Sequence, residues 1–87
     1  MKPELFHRWY DAGSDQVRDF IQKNQLDIEL VEVDDDDLGS ARLKELTGKE
    51  EIPALVTETD VVLEADKIIA WLTDHYLGQS GADVSAI

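Results

Sequence analysis

The acidic run from Asp34 to Asp37 is the first feature of this sequence whose composition suits a chemical role, the binding of a calcium ion. Position 5 of the calcium-loop template is Leu38, which has no side-chain oxygen, and a strand rather than a helix is expected before the loop. We therefore predict a solvated loop, with its last aspartates or Ser40 capping the next helix, and no metal site. Positions 1, 3, 6 and 12 of the template do fit, at Asp34, Asp36, Gly39 and Glu45.

Nucleophilic and acid–base chemistry has few candidate residues. The chain contains no cysteine, which excludes disulfides, thiolate zinc sites and thiol–disulfide exchange. His7 and His75 lie far apart in the sequence without ligand-spaced neighbours, so each is interpreted as an ordinary surface or half-buried histidine. Asp11 and Ser14 belong to a four-residue breaker, Asp-Ala-Gly-Ser, and one of them is expected to cap the helix that follows.

The charge balance limits the partners. The 87 residues include 20 acidic and 8 basic side chains, a net charge of −12. This charge repels phosphate backbones and anionic lipid, so neither a nucleic acid nor a membrane is expected as a partner. The N-terminus lacks the apolar segment of a secretory signal and no apolar run could span a bilayer, which predicts a soluble, cytoplasmic protein.

Hydrophobic periodicity indicates the elements that must position these residues. Residues 4–10 and 28–33 are predicted to be strands, and an amphipathic helix runs between them from Ser14 to about Asn24. Because the connections are short, this unit is expected to be a right-handed crossover between parallel strands.

The second half of the chain predicts a helix, a hairpin and a final helix. The first of these helices covers Ser40 to Thr47 and ends at Gly48. The strands Ala54 to Thr57 and Val61 to Leu63 are joined by a polar turn, which favours an antiparallel hairpin. The final helix has a clear apolar face that includes Tyr76 and is expected to end at Gly78.

The predicted fold class is α/β, with the order βαβ-α-ββα and a four-stranded mixed sheet flanked by helices. A chain of this length supports one small hydrophobic core. Residues 1–78 are therefore predicted to form a single domain. Residues 79–87 are small and polar without periodicity, and we expect a flexible C-terminal tail.

Three segments of the sequence have an order and spacing that together can be compared with a known fold. They are Arg8-Trp9-Tyr10 before the 11–14 break and Val17-Arg18 after it; Leu46-Thr47-Gly48 before Glu51-Ile52-Pro53-Ala54-Leu55; and Leu63-Glu64-Ala65-Asp66 before Ile68 and Trp71-Leu72. Over residues 4–77 the chain thereby resembles the thioredoxin fold, and within it the glutaredoxins and the N-terminal domain of glutathione transferases.

The resemblance implies a cleft that binds glutathione or an extended peptide. Pro53 corresponds to the cis-proline of these families, and Ile52 before it would offer its backbone N–H and C=O to the ligand. Three residues from Glu64 to Asp66 correspond to the positions that hold the γ-glutamyl end of glutathione. The ligand-binding residues implied by the resemblance are Arg8, Tyr10, Ile52, Pro53, Glu64, Ala65 and Asp66.

The same alignment places the Cys-x-x-Cys motif of the family on Asp11-Ala12-Gly13-Ser14, so no catalytic residue is predicted. An aspartate held ionised at a helix N-terminus opposes a nearby thiolate, whereas the serine or cysteine of active relatives supports one. Glu50 occupies a place where glutaredoxins carry a basic residue. The tyrosine of the tyrosine-type transferases aligns nearer His7 than Tyr10.

Three functions remain open at this point. The first, which we favour, is a cysteine-less glutaredoxin-like protein without oxidoreductase activity that keeps a weak glutathione- or peptide-binding cleft. The second is a glutathione transferase-like enzyme in which Tyr10 or Ser14 assists a bound thiolate. The third is an acidic adaptor whose Asp34 to Asp37 face docks a basic protein partner.

Overall fold

The computed structural model describes residues 2–34 and 38–77. The sheet order is β2-β1-β3-β4, with β1 parallel to β2 and antiparallel to β3, and with β4 antiparallel to β3. This architecture confirms the predicted α/β fold class. The elements are β1 (Glu4–His7), α1 (Ala12–Lys23), β2 (Glu29–Glu32), α2 (Leu38–Thr47), β3 (Ala54–Val56), β4 (Val61–Leu63) and α3 (Ala65–Leu72), followed by one π-helical turn (Thr73–Leu77).

The strands are shorter than the sequence patterns predicted. β1 ends at His7, three residues early, because the Arg8 N–H donates to the Ser14 side chain and Tyr10 adopts a φ of +67° that no strand allows. β2 lacks both predicted end residues, Ile28 and Val33, which are nevertheless buried. Aromatic and β-branched composition therefore marked the strands correctly, while contacts with distant residues decided where they end.

Helix α1 begins after Asp11 and not at Ser14. Asp11 has an extended backbone, and its Oδ2 accepts a hydrogen bond of 2.8 Å from the Ser14 N–H, as an N-cap residue does. Ser14 is fully buried inside the helix, where its Oγ accepts a hydrogen bond of 3.1 Å from the Arg8 N–H. The aspartate thus caps the helix, and the serine fastens the helix to the chain that leaves β1.

The hydrophobic core lies in two layers on opposite faces of the sheet. Because both faces of the central strands are covered, Leu5 and Phe6 of β1 and all three residues of β3 are buried. One layer, between the sheet and the helices α1 and α3, contains Leu5, Val17, Ile21, Ile28, Leu55, Ile68 and Leu72. The other, between the sheet and α2, contains Phe6, Val33, Leu43, Ala54 and Val56.

Helix α2 is attached to the sheet through few residues. Ser40 and Leu43 are its buried residues, and Arg42 makes two hydrogen bonds of 2.7 and 2.8 Å to the Glu4 carboxylate of β1. The helix begins at Leu38, two residues before its predicted start. Ser40 therefore lies within the helix and is not its cap, which corrects the prediction.

The last helix changes type before it ends. α3 is α-helical to Leu72 and then forms one π-helical turn in which Tyr76 is exposed, contrary to its predicted place on the apolar face. None of the helices in residues 2–34 and 38–77 is long and apolar enough to cross a membrane. The predicted helix end at Gly78, the tail 79–87 and the acidic residues 35–37 lie outside the described residues.

The buried Leu43 should account for most of the attachment of α2. We expect Leu43→Ala to lower the free energy of unfolding by about 2–5 kcal/mol, because it leaves a cavity between α2 and the sheet. Urea denaturation measures this loss. Leu46→Ala is the matched control on the same helix, since Leu46 is 41% exposed. Equal losses in the two variants would contradict this account of α2.

Candidate ligand-binding site

The register of the sheet gathers several of the predicted binding residues at one end. One row of the sheet runs across Phe6, Ala54 and Leu63. Because side chains alternate along a strand, His7, one step beyond Phe6, lies on the opposite face, where it meets Arg18 of α1. Pro53 directly precedes Ala54 and Glu64 directly follows Leu63, so the end of β1, the start of β3 and the start of α3 lie at this one end of the sheet.

The first turn of α1 packs directly on Pro53. The Ile52–Pro53 peptide bond is cis, and Pro53 is buried. A Cβ atom added to Gly13 would lie 3.1 Å from the Pro53 Cδ and 3.5 Å from the Asp11 Oδ2. Glycine is therefore the residue that lets the helix approach the proline, and the Asp11 carboxylate lies at the same corner.

Backbone groups at this corner lack hydrogen-bond partners among the described residues. In residues 2–34 and 38–77, no hydrogen bond satisfies the N–H or the C=O of Ile52. Glu64 has a φ of 77° and makes no side-chain capping bond, so the first N–H groups of α3, at Ala65 and Asp66, have no intrahelical acceptor. A positive φ is costly for a glutamate and persists only where the surrounding structure imposes it. The corner thus presents a short open backbone segment beside a helix N-terminus.

Two residues of the predicted set are placed differently. The Arg8 Nε donates a hydrogen bond of 3.1 Å to the Val33 carbonyl at the end of β2, so this side chain extends away from β3 and Pro53. Tyr10 is 100% exposed, and its hydroxyl has no hydrogen-bond partner in the part of the chain that the structure describes. The structure therefore gathers Ile52, Pro53, Glu64, Ala65 and Asp66 but not Arg8 and Tyr10.

A largely buried arginine, Arg18, organises the end of β1. Its Nη1 lies 3.0 Å from the His7 Nδ1 and donates a bond of 3.1 Å to the Arg8 carbonyl, while its Nη2 binds Asp15. Its guanidinium lies 4.3 Å from the centre of the Trp9 ring. The sequence patterns assigned no role to Arg18. The signal present was Asp15 one turn earlier on the same helix, whereas the contacts with β1 depend on the fold.

His7 is buried and held neutral at pH 7. Burial lowers the pKa of His7 below its ordinary value of 6.5, the Arg18 guanidinium lowers it further, and Glu32 acts in the opposite direction. Because arginine can only donate, the His7 Nδ1 accepts the hydrogen bond from Arg18. The interpretation of His7 as a surface or half-buried histidine was therefore wrong, since its side chain is part of the packed interior.

Comparison with protein families supports the α/β fold described above. The family model described as "Glutathione S-transferase, N-terminal domain" matches residues 12–80 of the chain. Among curated proteins, none matches the chain.

Solved structures of glutathione transferases have the same fold. Human glutathione transferase theta-2, in complex with glutathione and an unknown ligand, superposes with a TM-score of 0.76 at 24% identity, over 85% of this chain and 31% of its own. A diazinon-metabolizing glutathione S-transferase of the silkworm Bombyx mori gives 0.73 at 23% identity, over 91% and 40%. One from the Antarctic clam Laternula elliptica gives 0.75 at 19%, over 87% and 36%. The chain thus spans less than half the length of these proteins, and the likeness shows the fold.

The contact between Gly13 and Pro53 gives a prediction for stability. We expect Gly13→Leu to lower the free energy of unfolding by about 2 kcal/mol or more, because the new side chain meets a buried and rigid ring. Ala12→Leu is the control, since Ala12 is exposed in the same helical turn and the substitution should change stability by less than about 0.5 kcal/mol. Thermal unfolding compares the two variants. A Gly13→Leu variant as stable as the control would contradict the close packing.

The lowered pKa of His7 gives a prediction for pH dependence. The unfolded chain binds a proton at His7 more readily than the folded chain does. The contribution of neutral His7 to the free energy of unfolding should therefore be fully present above pH 6.5, the ordinary pKa of histidine, and should fall as the pH decreases through and below that value. Urea midpoints measured between about pH 7.5 and 5.5, above the range where carboxylates titrate, should show this fall.

Two variants separate His7 from the other titrating groups. His7→Gln keeps an acceptor for Arg18 but cannot be protonated, so its urea midpoint should change less over the same pH range. His75→Gln leaves His7 in place and should behave as the wild type does. A fall that persists in His7→Gln and disappears in His75→Gln would refute the assignment.

Proposed function

Because this chain belongs to the glutathione S-transferase N-terminal domain family, we propose that it is a member that binds glutathione or an extended peptide weakly and performs no thiol chemistry. The proposed contacts are the open backbone of Ile52, the face of Pro53 and the N-terminus of α3 at Ala65 and Asp66. The proposal concerns this domain, which spans about a third of the human and clam chains to which it is similar.

The observation that carries the proposal is the carboxylate of Asp11 at the N-terminus of α1. In active members of the family a serine or cysteine at this place supports a thiolate, because a helix N-terminus favours negative charge. Here the Asp11 Oδ2 already accepts the Ser14 N–H at 2.8 Å, at the corner where Gly13 touches Pro53. Its charge raises the pKa of any thiol placed beside it, so a bound thiol stays protonated.

The same geometry argues against thiol activation by either hydroxyl that sequence reasoning considered. Ser14 is fully buried and its Oγ accepts the Arg8 N–H, so it has no access to a ligand. The Tyr10 hydroxyl is wholly in solvent and is not positioned by any neighbour among the described residues. A hydroxyl that activates a thiol must lie within hydrogen-bond reach of the sulfur.

The backbone groups of this corner match those of glutathione, whereas the negative charge of the corner does not favour an anionic ligand. An extended peptide can pair with the Ile52 N–H and C=O as one residue of an added strand, and a carboxylate can meet the N–H groups of Ala65 and Asp66. Glu64 and Asp66 are exposed there. The Lys67 Nζ lies 3.5 Å from the Glu64 Oε2 and the Lys44 Nζ lies 3.9 Å from the Glu50 Oε2, and each lysine reduces the effect of the carboxylate beside it. The ammonium group of a ligand would be favoured by these carboxylates, while its own carboxylates would be repelled. Binding is therefore expected to be weak.

The acidic adaptor is the alternative with the least support. Three of its four aspartates, residues 35–37, lie outside the described residues. Docking of a basic partner on the Asp34 to Asp37 face therefore stays a prediction.

A titration with reduced glutathione tests the proposal. Millimolar glutathione should shift the amide resonances of Ile52, Ala65 and Asp66 in isotope-labelled protein, and conjugation of glutathione to a small electrophile should stay at the uncatalysed rate. No shift at these residues would reject the proposed cleft. Conjugation above the uncatalysed rate would instead favour a transferase.

Asp11→Asn isolates the role of the charge. Asparagine caps a helix about as well as aspartate, so the fold should be unchanged while the repulsion is removed. We expect glutathione to bind Asp11→Asn at least about threefold more tightly than the wild type, because the variant loses a short-range Coulomb repulsion between the Asp11 carboxylate and the ligand. Asp19→Asn removes the same net charge from an exposed position further along α1 and should leave binding unchanged. An equal gain in both variants would contradict a local effect of Asp11.

A further inference from the structure

An open groove lies between α1 and the outer strand β2, on the other side of β1 from Pro53. It has a volume of about 480 Å³, and its apolar surface is formed by Trp9, Ile21 and Leu30. Leu30 pairs in register with Leu5, so both side chains lie on the face that α1 covers. Trp9 is 47% exposed and Leu30 43% exposed. An apolar recess is therefore open to solvent at the edge of the sheet.

The backbone of β2 is open along the same edge. The Glu29 N–H donates to the Pro3 carbonyl and the Val33 N–H to the His7 carbonyl, so residues 29, 31 and 33 direct their N–H groups towards β1. Because strand residues alternate, Leu30 and Glu32 direct their backbone N–H and C=O groups outward. No strand within residues 2–34 and 38–77 pairs with this edge of β2. Leu30 belongs to both features, which makes the recess and the open edge one continuous surface.

The charge of this surface is negative once its internal pairing is considered. Arg18 is the cation that lines the groove, and Asp15, His7 and the Trp9 ring already bind its guanidinium. Asp19 also lines the groove, and Glu32 follows Leu30 by two residues and so lies on the same face. Neither carboxylate has an ion-pair partner in the described part of the chain.

We propose that this surface, the β2 edge groove formed by Trp9, Asp19, Leu30, Glu32 and the outer backbone of β2, binds an extended basic segment of a partner protein as a fifth strand. A large apolar side chain of the segment enters the recess opposite Leu30. A lysine or arginine two residues away then lies opposite Glu32, because both strands repeat every two residues.

The negative charge of the β2 edge groove favours a basic segment over a second copy of the chain. Pairing of two β2 strands would bring the carboxylates of Asp19 and Glu32, which have no ion-pair partner within residues 2–34 and 38–77, near those of the other copy, in a protein whose net charge is −12. Like charges juxtaposed across an interface are strongly unfavourable. A basic segment gains from the same charges, and the main-chain hydrogen bonds of an added strand need no particular side chain.

A symmetric peptide tests the proposal without knowledge of the natural partner. The probe is acetyl-Lys-Thr-Phe-Thr-Lys-amide, in which a lysine lies two residues from the phenylalanine in either strand direction. Binding should shift the amide resonances of Leu30 and Glu32 and the indole resonance of Trp9, and should slow hydrogen exchange of the Leu30 and Glu32 amides. The control acetyl-Glu-Thr-Phe-Thr-Glu-amide should not bind.

Matched variants distinguish specific binding in the groove from nonspecific binding to exposed apolar residues. Leu30→Thr keeps strand preference but removes the apolar contact and should weaken binding about tenfold. Leu46→Thr alters an equally exposed leucine on α2, at 41% against 43%, and should leave binding unchanged. Glu32→Gln should weaken binding at low salt and reduce its dependence on salt, whereas Glu45→Gln on α2 should do neither.

Four outcomes would overturn the proposal. These are equal binding of the acidic control peptide, resonance shifts at Ile52 and Ala65 instead of Leu30, equal losses in Leu30→Thr and Leu46→Thr, and no binding at millimolar peptide. A dimer mass in sedimentation that Leu30→Thr abolishes would assign the edge to a second copy instead. Failure of the glutathione titration leaves this test unaffected, because the two surfaces lie on opposite sides of β1.

Discussion

The positions of β1, the turn after it and helix α1 relative to one another depend on the largely buried guanidinium of Arg18. An arginine does not lose its charge in a protein, so one taken out of water must be bound by several acceptors at once. Here those partners are the His7 ring, the Arg8 carbonyl, the Asp15 carboxylate and the face of Trp9. Because they come from the end of a strand, the turn after it and a helix, the requirements of one side chain position three parts of the chain relative to one another.

Two surfaces lie on either side of this arrangement. The N-terminus of α1 meets β3, where Gly13 allows contact with Pro53 and places the Asp11 carboxylate at the corner. The side of α1 that carries Arg18 meets β2, where Trp9 and Leu30 leave an apolar recess beside an open strand edge. One helix thus takes part in both surfaces, the corner at Pro53 and the groove beside β2.

The family explains the architecture, and single residues decide the chemistry that it can support. A helix N-terminus attracts negative charge, because its first N–H groups have no acceptor within the helix. In this chain the attraction is satisfied internally by Asp11, which holds the Ser14 N–H, and Ser14 is buried against Arg8. A fold shared with transferases is therefore compatible with a domain that binds without reacting, as expected when function resides in sites and not in folds.

The sequence by itself determined the type and order of the strands and α-helices and the absence of any cysteine thiol. Periodic apolar residues such as Val17 and Ile21 identify a helix locally, and a missing cysteine needs no structure to interpret. Tertiary structure alone decided that Asp11 and not Ser14 caps α1, that β1 stops at His7, and that Arg8 turns towards β2 while Arg18 binds His7. The reason is physical: periodicity reports on neighbours along the chain, whereas a cap, a strand end and the partners of a buried charge are chosen by residues that only the folded sheet brings together.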